Sequence, residues 1–386
     1  MRVLHLADLH IYLSGPRAEE CRRIIDWIAG NARETKPDAI VISGDVYERR
    51  STPPERLYLA AFLQVLADVA PVYIIAGNHD DREDLRLFQK EYGFQTRAEI
   101  FLEPGLVSGP SGLRLALLPW PVLGNVAAKA GAEESIATRR ELARAALVDV
   151  LRGFAAEGRN TPNTPSLLVS HISVTGASMD SGQPVSGGED LALTAEELLE
   201  SGCAGVALGH IHLRQQMKTL DPRPVLYAGA PFRGSFGEAH GTKGGLIWDW
   251  NGKAWTVTPW DAPAREMALI EITWNSEEGG VVTSPSAAPC PADLEGDDVR
   301  IRISFPAESR EAMREAMRPA FDAIRAVAHS LTVEERATII SRTRCVEITA
   351  ARTTMEKLAA WALAVGSDVP AGAEAKLHAL EAETRS

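Results

Sequence analysis

Short apolar runs recur through the first two thirds of the chain, and each ends on a cluster of glycine, acid, amide or histidine. Val3-Leu4-His5-Leu6-Ala7 runs into Asp8-Leu9-His10, Ala39-Ile40-Val41-Ile42 into Gly44-Asp45, and Val72-Tyr73-Ile74-Ile75 into Gly77-Asn78-His79-Asp80. Leu167-Leu168-Val169 precedes Ser170-His171, and Val206-Ala207-Leu208 precedes Gly209-His210-Ile211-His212. Unbroken apolar runs of this length, rich in β-branched residues, predict strands buried on both faces. Between them the period changes. Ile24, Ile25 and Ile28 predict a helix within Gly15–Thr35, and further helices are expected at Pro54–Ala70, opened by Pro53-Pro54, and at Arg82–Tyr92. Glu99–Leu118 reads as short strands with Gly-Pro turns, followed by a long helix over Glu133–Ala156 and strands again from Pro224 to Thr258. This order predicts an α/β fold in which two mixed sheets pack face to face with helices outside.

A composition shift at Pro259–Pro263 marks a boundary. Beyond it, Ala268–Trp274 and Val299–Phe305 alternate as strands around a Ser/Pro/Ala-rich loop, Val282–Asp298. A helix near Glu308–Ala328 and a strand near Cys345–Thr349 complete a small α+β unit. Met355, Leu358, Ala362 and Val365, then Val369, Ala373, Leu377 and Leu380, form two helical stripes around Gly366 and Pro370, which reads as a helical hairpin. The expected organisation is a catalytic domain over 1–262, a small capping domain over 263–350 and the hairpin over 351–386.

The 386 residues carry a formal net charge of −12, which argues against tight, sequence-independent nucleic-acid binding by this chain alone, although cation-binding carboxylates account for part of that charge. Cys21, Cys203, Cys290 and Cys345 form no CxxC pair, so structural zinc is not expected and a reduced, cytoplasmic setting is. No apolar run reaches membrane-spanning length, and the first residues read as a strand rather than a secretion signal.

The clusters carry the chemistry. Five of the nine histidines lie in them, beside acids and one amide, and oxygen and imidazole donors are what divalent transition-metal ions bind. Two cations about 3.5–4 Å apart can clamp an in-line displacement at phosphorus and lower the pKa of a water. Such a centre needs one shared anion, and Asp45 is the natural bridge. Asp8, His10, Asp45 and His212 are expected on one ion, and Asp45, Asn78, His171 and His210 on the other. His210 and His212 are expected to splay from an extended turn while Ile211 points into the core. His79 is left to face substrate and protonate the leaving oxygen, with Asp80 holding its tautomer. His5 reads as a satisfied core histidine. Arg233, Glu238 and Lys243 read equally as DNA-steering groups or as ion pairs, and Trp248, Trp250, Trp255 and Trp260 as packing residues.

In this order the motifs D-x-H, G-D, G-N-H-D, H and G-H-x-H resemble those of the calcineurin-like metallophosphoesterase superfamily. The stretches His171–Ala177, Val206–His212 and Tyr227–Glu238, the last followed by Lys243-Gly244-Gly245, are similar to the SbcD-type DNA-repair exonucleases, with Ala230 where that group usually has serine. The resemblance implies a four-layer αββα sandwich with a small cap, two divalent ions (manganese, or magnesium in its place), and cleavage of DNA. It also implies a homodimer whose C-terminal hairpin docks on an SbcC-type coiled-coil ATPase. This chain has no G-x-x-x-x-G-K-[ST] of its own, so any ATP dependence would come from such a partner. Two rival readings stay open from the residues: a phosphoesterase of small nucleotide diesters with the cap as a lid, and a scaffold subunit. The hairpin could equally pack on its own catalytic domain.

Overall fold

A computed structural model of the chain describes residues 1–90, 96–121, 136–158, 164–179, 191–239, 241–275, 279–285, 287–338, 348, 350–364, 366–369, 371–373 and 375–377. They divide into two compact units.

The first unit comprises Met1–Leu269, Leu294–Val299 and Ala328–Ser330 and contains two six-stranded sheets. In the first sheet the strands lie in the order Trp255–Asp261, Gly244–Trp250, Arg2–Leu6, Ala39–Ser43, Val72–Ile75 and Ala98–Phe101; the last four are parallel to one another. In the second the order is Gln215–Gln216, Val225–Tyr227, Val206–Gly209, Ser166–His171, Arg114–Leu118 and Gly105–Ser108, with a parallel centre and antiparallel edges.

Side chains two apart on a strand share a face, and this decides the layering. Leu4, Leu6, Ile40, Ile42, Val72 and Ile74 pack with Ile24, Ile25 and Ile28 of the helix Ala18–Asn31 and with Leu59, Phe62, Leu63 and Leu66 of the helix Pro53–Ala67. Val3, Val41, Tyr73 and Ile75 turn the other way and meet Leu115, Leu117, Leu167, Val169 and Ala207 of the second sheet. Ala116, Leu118, Leu168, Val206 and Leu208 complete the pattern against Leu147, Leu151 and Phe154 of the helix Ile136–Gly158. The result is helix, sheet, sheet, helix. Trp248 and Trp255 fill the seam between the sheets, which accounts for those tryptophans as packing.

His5 lies in the same seam. Trp248 donates its Nε1–H to His5 Nδ1 at 3.4 Å, so His5 Nε2–H donates to the Ser43 hydroxyl at 2.8 Å. Burial pushes the pKa of this imidazole from its ordinary 6.5 down to about 3. Below pH 6.5 the unfolded chain takes up a proton that the folded one refuses, so stability is lost as pH falls through that window, by up to ~1.4 kcal/mol per pH unit. The variant His5→Gln is expected to melt lower at pH 7 but to lose less of its melting temperature between pH 6.5 and 4. Parallel acid limbs in the two proteins would contradict this account of the residue.

The second unit comprises Ile270–Asp293, Arg300–Val327 and Leu331–Ser386. Its sheet has the order Gly279–Ser284, Met267–Asn275, Asp298–Pro306 and Ser330–Thr338. Met313, Phe321 and Ile324 are the buried positions of its helix, Arg310–Val327. Two of the four strands, Gly279–Ser284 and Ser330–Thr338, differ from the sequence expectation. Both are edge strands, and the second carries Glu334, Glu335 and Arg336, charges that blunt an edge and hide its strand pattern. Arg300 and Arg302 pair with Glu334, and Arg302 also with Glu271.

Other boundaries moved by a few residues. The helix expected over Arg82–Tyr92 stops at Arg86, with 91–95 outside the described residues. The strand expected near Cys345–Thr349 lies outside them apart from Ile348, which is helical. The first arm of the C-terminal hairpin is a helix, Thr354–Ala364, and Gly366 beyond it has φ 66°. Most of the second arm lies outside the described residues. Among those described, no helix is long and apolar enough to cross a membrane.

Candidate metal centre

The parallel strands place the site. Asp8, Asp45 and Asn78 follow the strands Arg2–Leu6, Ala39–Ser43 and Val72–Ile75 of the first sheet. His171 ends one strand of the second sheet, and His210 and His212 follow its neighbour Val206–Gly209. Carboxyl ends of neighbouring strands in both sheets thus meet at one rim, where open α/β sheets bind ligands.

The loops there are held in an uncommon backbone conformation. Asp8, His10, Asp45 and His210 have φ of 51°, 40°, 50° and 103°. For residues with a Cβ, each such conformation costs on the order of 1–3 kcal/mol and persists only where the surroundings over-determine it. They do so here: Asp8 N donates to Gly44 O at 3.1 Å, His10 N to Asp45 O at 3.0 Å and Ile11 N to Val46 O at 2.8 Å. Asp8 accepts His210 N at 2.9 Å, and Asp45 accepts His79 N at 2.9 Å. The expected extended turn through His210 is therefore a left-handed one, although Ile211 does point into the core.

Close approach explains the glycines. A Cβ on Gly77 would stand 2.1 Å from Asp45 Oδ1 and 2.3 Å from the Asp45 backbone nitrogen; one on Gly209 would stand 2.1 Å from Ser43 O. The variant Gly77→Ala is expected to lose roughly 1–3 kcal/mol of stability and to bind manganese more weakly, because backbone must give way. Gly153→Ala, in open space on the Ile136–Gly158 helix, is the control and should gain roughly 0.5–1 kcal/mol. Thermal melts and a manganese titration read both; a neutral Gly77→Ala would contradict the packing described.

Two donor groups converge, and all seven residues read as ligands from the sequence fall in or beside them. Asp8, His10 and His212 offer ligand atoms within 4.8 Å of one another, as do Asp45, His171 and His210. Asn78 Oδ1 lies 2.9 Å from both His171 Nε2 and His210 Nδ1. Asp45 Oδ2 stands between the groups, 3.7 Å from His10 Nε2 and 3.3 Å from His171 Nε2.

The proton arrangement shows that this set suits cations. His171 Nδ1 donates to Ser43 O at 2.7 Å, so in its neutral form Nε2 is a lone pair aimed at the Asp45 carboxylate. His10 Nδ1 faces Glu48 Oε2 at 2.8 Å and His212 Nδ1 faces Glu238 Oε2 at 3.3 Å, which leaves the two Nε2 atoms opposed at 2.9 Å. Lone pairs so opposed require positive charge between them. The titration behaviour agrees. Burial works against charging His171 and His212, yet Asp45 beside the first and Glu238 bonded to the second raise both to about 9. Burial, followed by the neighbouring His171, lowers His210 to about 3.

His79 stands apart from the donor groups with its ring exposed. Its Nδ1 lies 2.9 Å from Glu48 O, and its ring meets that of His10 edge-on at 5.0 Å. Asp80 does not hold this tautomer, contrary to expectation. It is buried, accepting Tyr47 N at 3.0 Å and Gly77 N at 2.8 Å, and so it braces the two turns that carry Asp45 and Asn78. A main-chain carbonyl supplies what an adjacent acid was expected to supply.

Glu238 and Lys243 form an ion pair at 3.4 Å, with Lys243 3% exposed. Arg233, 2% exposed, is bonded to Arg265 O, Gly241 O and Glu266. The ion-pair reading of these three is the one the geometry bears out. Two contributors escaped the sequence reading. Glu48 lies three residues after Asp45, in a stretch that reads as an ordinary polar loop. Trp120, in Leu118-Pro119-Trp120-Pro121, stacks beside His210 with ring centroids 4.9 Å apart, and only its place after a strand of the second sheet hinted at the site.

Comparison with known proteins agrees with this geometry. The family model for calcineurin-like phosphoesterases matches residues 1–214. The D subunit of nuclease SbcCD from Bacillus subtilis (strain 168) is 29% identical over 297 residues, covering 72% of this chain and 73% of the relative. Its counterpart from Escherichia coli (strain K12) is 25% identical over 288 residues, covering 70% and 71%. Among solved structures, a dimetal phosphatase from Danio rerio superposes with a TM-score of 0.42 at 10% identity, over 67% of this chain and 99% of that one, too loosely to add to the assignment. With the family model spanning more than half of its length, the chain belongs to the calcineurin-like phosphoesterase family.

Proposed function

We propose that the chain is a metal-dependent DNA phosphodiesterase acting in the processing of DNA ends, with Asp8, His10, Asp45 and His212 holding one divalent ion and Asp45, Asn78, His171 and His210 a second. The observation that carries this reading is the pair of donor groups sharing Asp45 beside a cavity of about 430 Å³ lined by Asp8, His10, Arg49, His79, His212 and Phe232. Bound there, two divalent ions, manganese in this proposal, would neutralise a backbone phosphate and supply a nucleophile from water at neutral pH.

The chain's own residues do the rest. Asn78 adds a neutral oxygen, which limits the anionic charge of the centre. Glu48 O fixes His79 through Nδ1, so its Nε2 is the atom available to the cavity. When charged, His79 offers that proton to the oxygen leaving phosphorus, and in place it also stabilises the charge developing there. Asp80 keeps the Asp45 and Asn78 turns at their spacing.

DNA as substrate is supported by the likeness to nuclease subunits over comparable lengths of both chains. The same likeness supports a coiled-coil ATPase partner, docking of that partner by segment 351–386, assembly as a homodimer and work in the cytoplasm. The test is cleavage of end-labelled duplex and single-stranded DNA by manganese-loaded protein, with binding measured against salt. Mononucleotide release and an affinity that falls steeply with salt support the reading. Fast turnover of mononucleotide esters with salt-insensitive binding would overturn the assignment of DNA as substrate.

A further inference from the structure

The two halves of the centre differ in what stands behind their imidazoles. On the Asp8 side, His10 and His212 each turn Nδ1 to a carboxylate, Glu48 at 2.8 Å and Glu238 at 3.3 Å. Glu238 is itself held in place: Lys243 Nζ lies 3.4 Å away and Gly234 N donates to it at 3.4 Å, while Lys243 also reaches His212 O at 3.2 Å. Glu48 sits on the loop of the shared Asp45, so the segment that bridges the two halves also orients His10. On the Asn78 side, His171 is backed by a neutral peptide carbonyl, and the companion donor is an amide oxygen.

A neutral imidazole has one lone pair. A carboxylate on Nδ1–H fixes that lone pair on Nε2 and makes it a stronger donor than a carbonyl partner does. The Asp8 half also has more negative charge around it: Asp8, Glu48 and Glu238 against Lys243, with Asp45 common to both halves. We propose that Glu48 and Glu238 are positioning residues that lock His10 and His212 toward the Asp8 half and make it the tighter of two unequal cation sites. This rests on the two-ion reading given above.

The experiment is a manganese titration of the cation-free full-length protein, with bound and free ion counted by electron paramagnetic resonance. Wild type is expected to show two classes of site. Glu48→Gln and Glu238→Gln are each expected to weaken the tighter class by roughly tenfold or more and to leave the weaker class unchanged. A merely structural role would lower the melting temperature of the cation-free protein and weaken both classes together, which overturns the proposal, as do two equal classes in wild type. Wild type that binds no manganese overturns the two-ion reading itself, so the two failures are distinct. A second measurement does not depend on the variants folding. In zinc-loaded wild type, long-range proton–nitrogen spectra are expected to find His10 and His212 protonated at Nδ1; protonation at Nε2 overturns the proposal.

Discussion

Asp45→Asn is expected to abolish DNA cleavage and to remove the second manganese ion at any practical concentration. Asp45 Oδ2 is the atom between the two donor groups, and an amide is isosteric but uncharged. Around it the chain holds opposed nitrogen lone pairs, and without the shared charge the second cation meets repulsion from the first with nothing between them. The loss of affinity should be at least ~100-fold, beyond the 10–100-fold typical of residues that only support a ligand. The fold should survive, because Asp45 is placed by main-chain bonds from its own loop and by Gly77, which the amide leaves in place. Isothermal titration with manganese, paired with a thermal melt of the cation-free protein, checks both parts. Retention of two ions at near wild-type affinity would remove Asp45 from the role of bridge.

His79→Ala is expected to reduce cleavage by about 10²–10⁴ while leaving metal content unchanged. The separation follows from geometry: the side chain lies outside both donor groups that share Asp45, and its ring is anchored to a carbonyl rather than to a carboxylate. The backbone N–H that His79 gives to Asp45 survives the substitution. Single-turnover cleavage with metal analysis of the same samples reads the outcome. Should metal content fall together with the rate, His79 would belong to the ion-binding set.

The catalytic half of the fold was legible because its signals are local and reinforce one another. Runs such as Ala39-Ile40-Val41-Ile42 are apolar on both faces since one face meets helices and the other the second sheet. The ligand residues were legible for the same reason: each follows such a run, and parallel strands bring their ends together. The missing pieces depend on contacts remote in sequence. The partner of the His79 ring is the Glu48 carbonyl, and a main-chain atom leaves no mark on residue type. The turn at His210 is left-handed although histidine has a Cβ, because Asp8 from the other sheet accepts its N–H. The strand Ser330–Thr338 was hidden by charges that an edge position tolerates and an interior strand would not.

The claim on which all else depends is that two cations sit side by side around Asp45. Manganese is paramagnetic, and two such ions a few ångströms apart couple their spins. Electron paramagnetic resonance of the fully loaded wild-type protein, with metal counted in the same sample, tests the claim most directly. Two ions per chain and the broadened spectrum of a coupled pair are the predicted result. One ion per chain at saturation, or two giving the six-line signal of isolated manganese, would contradict it.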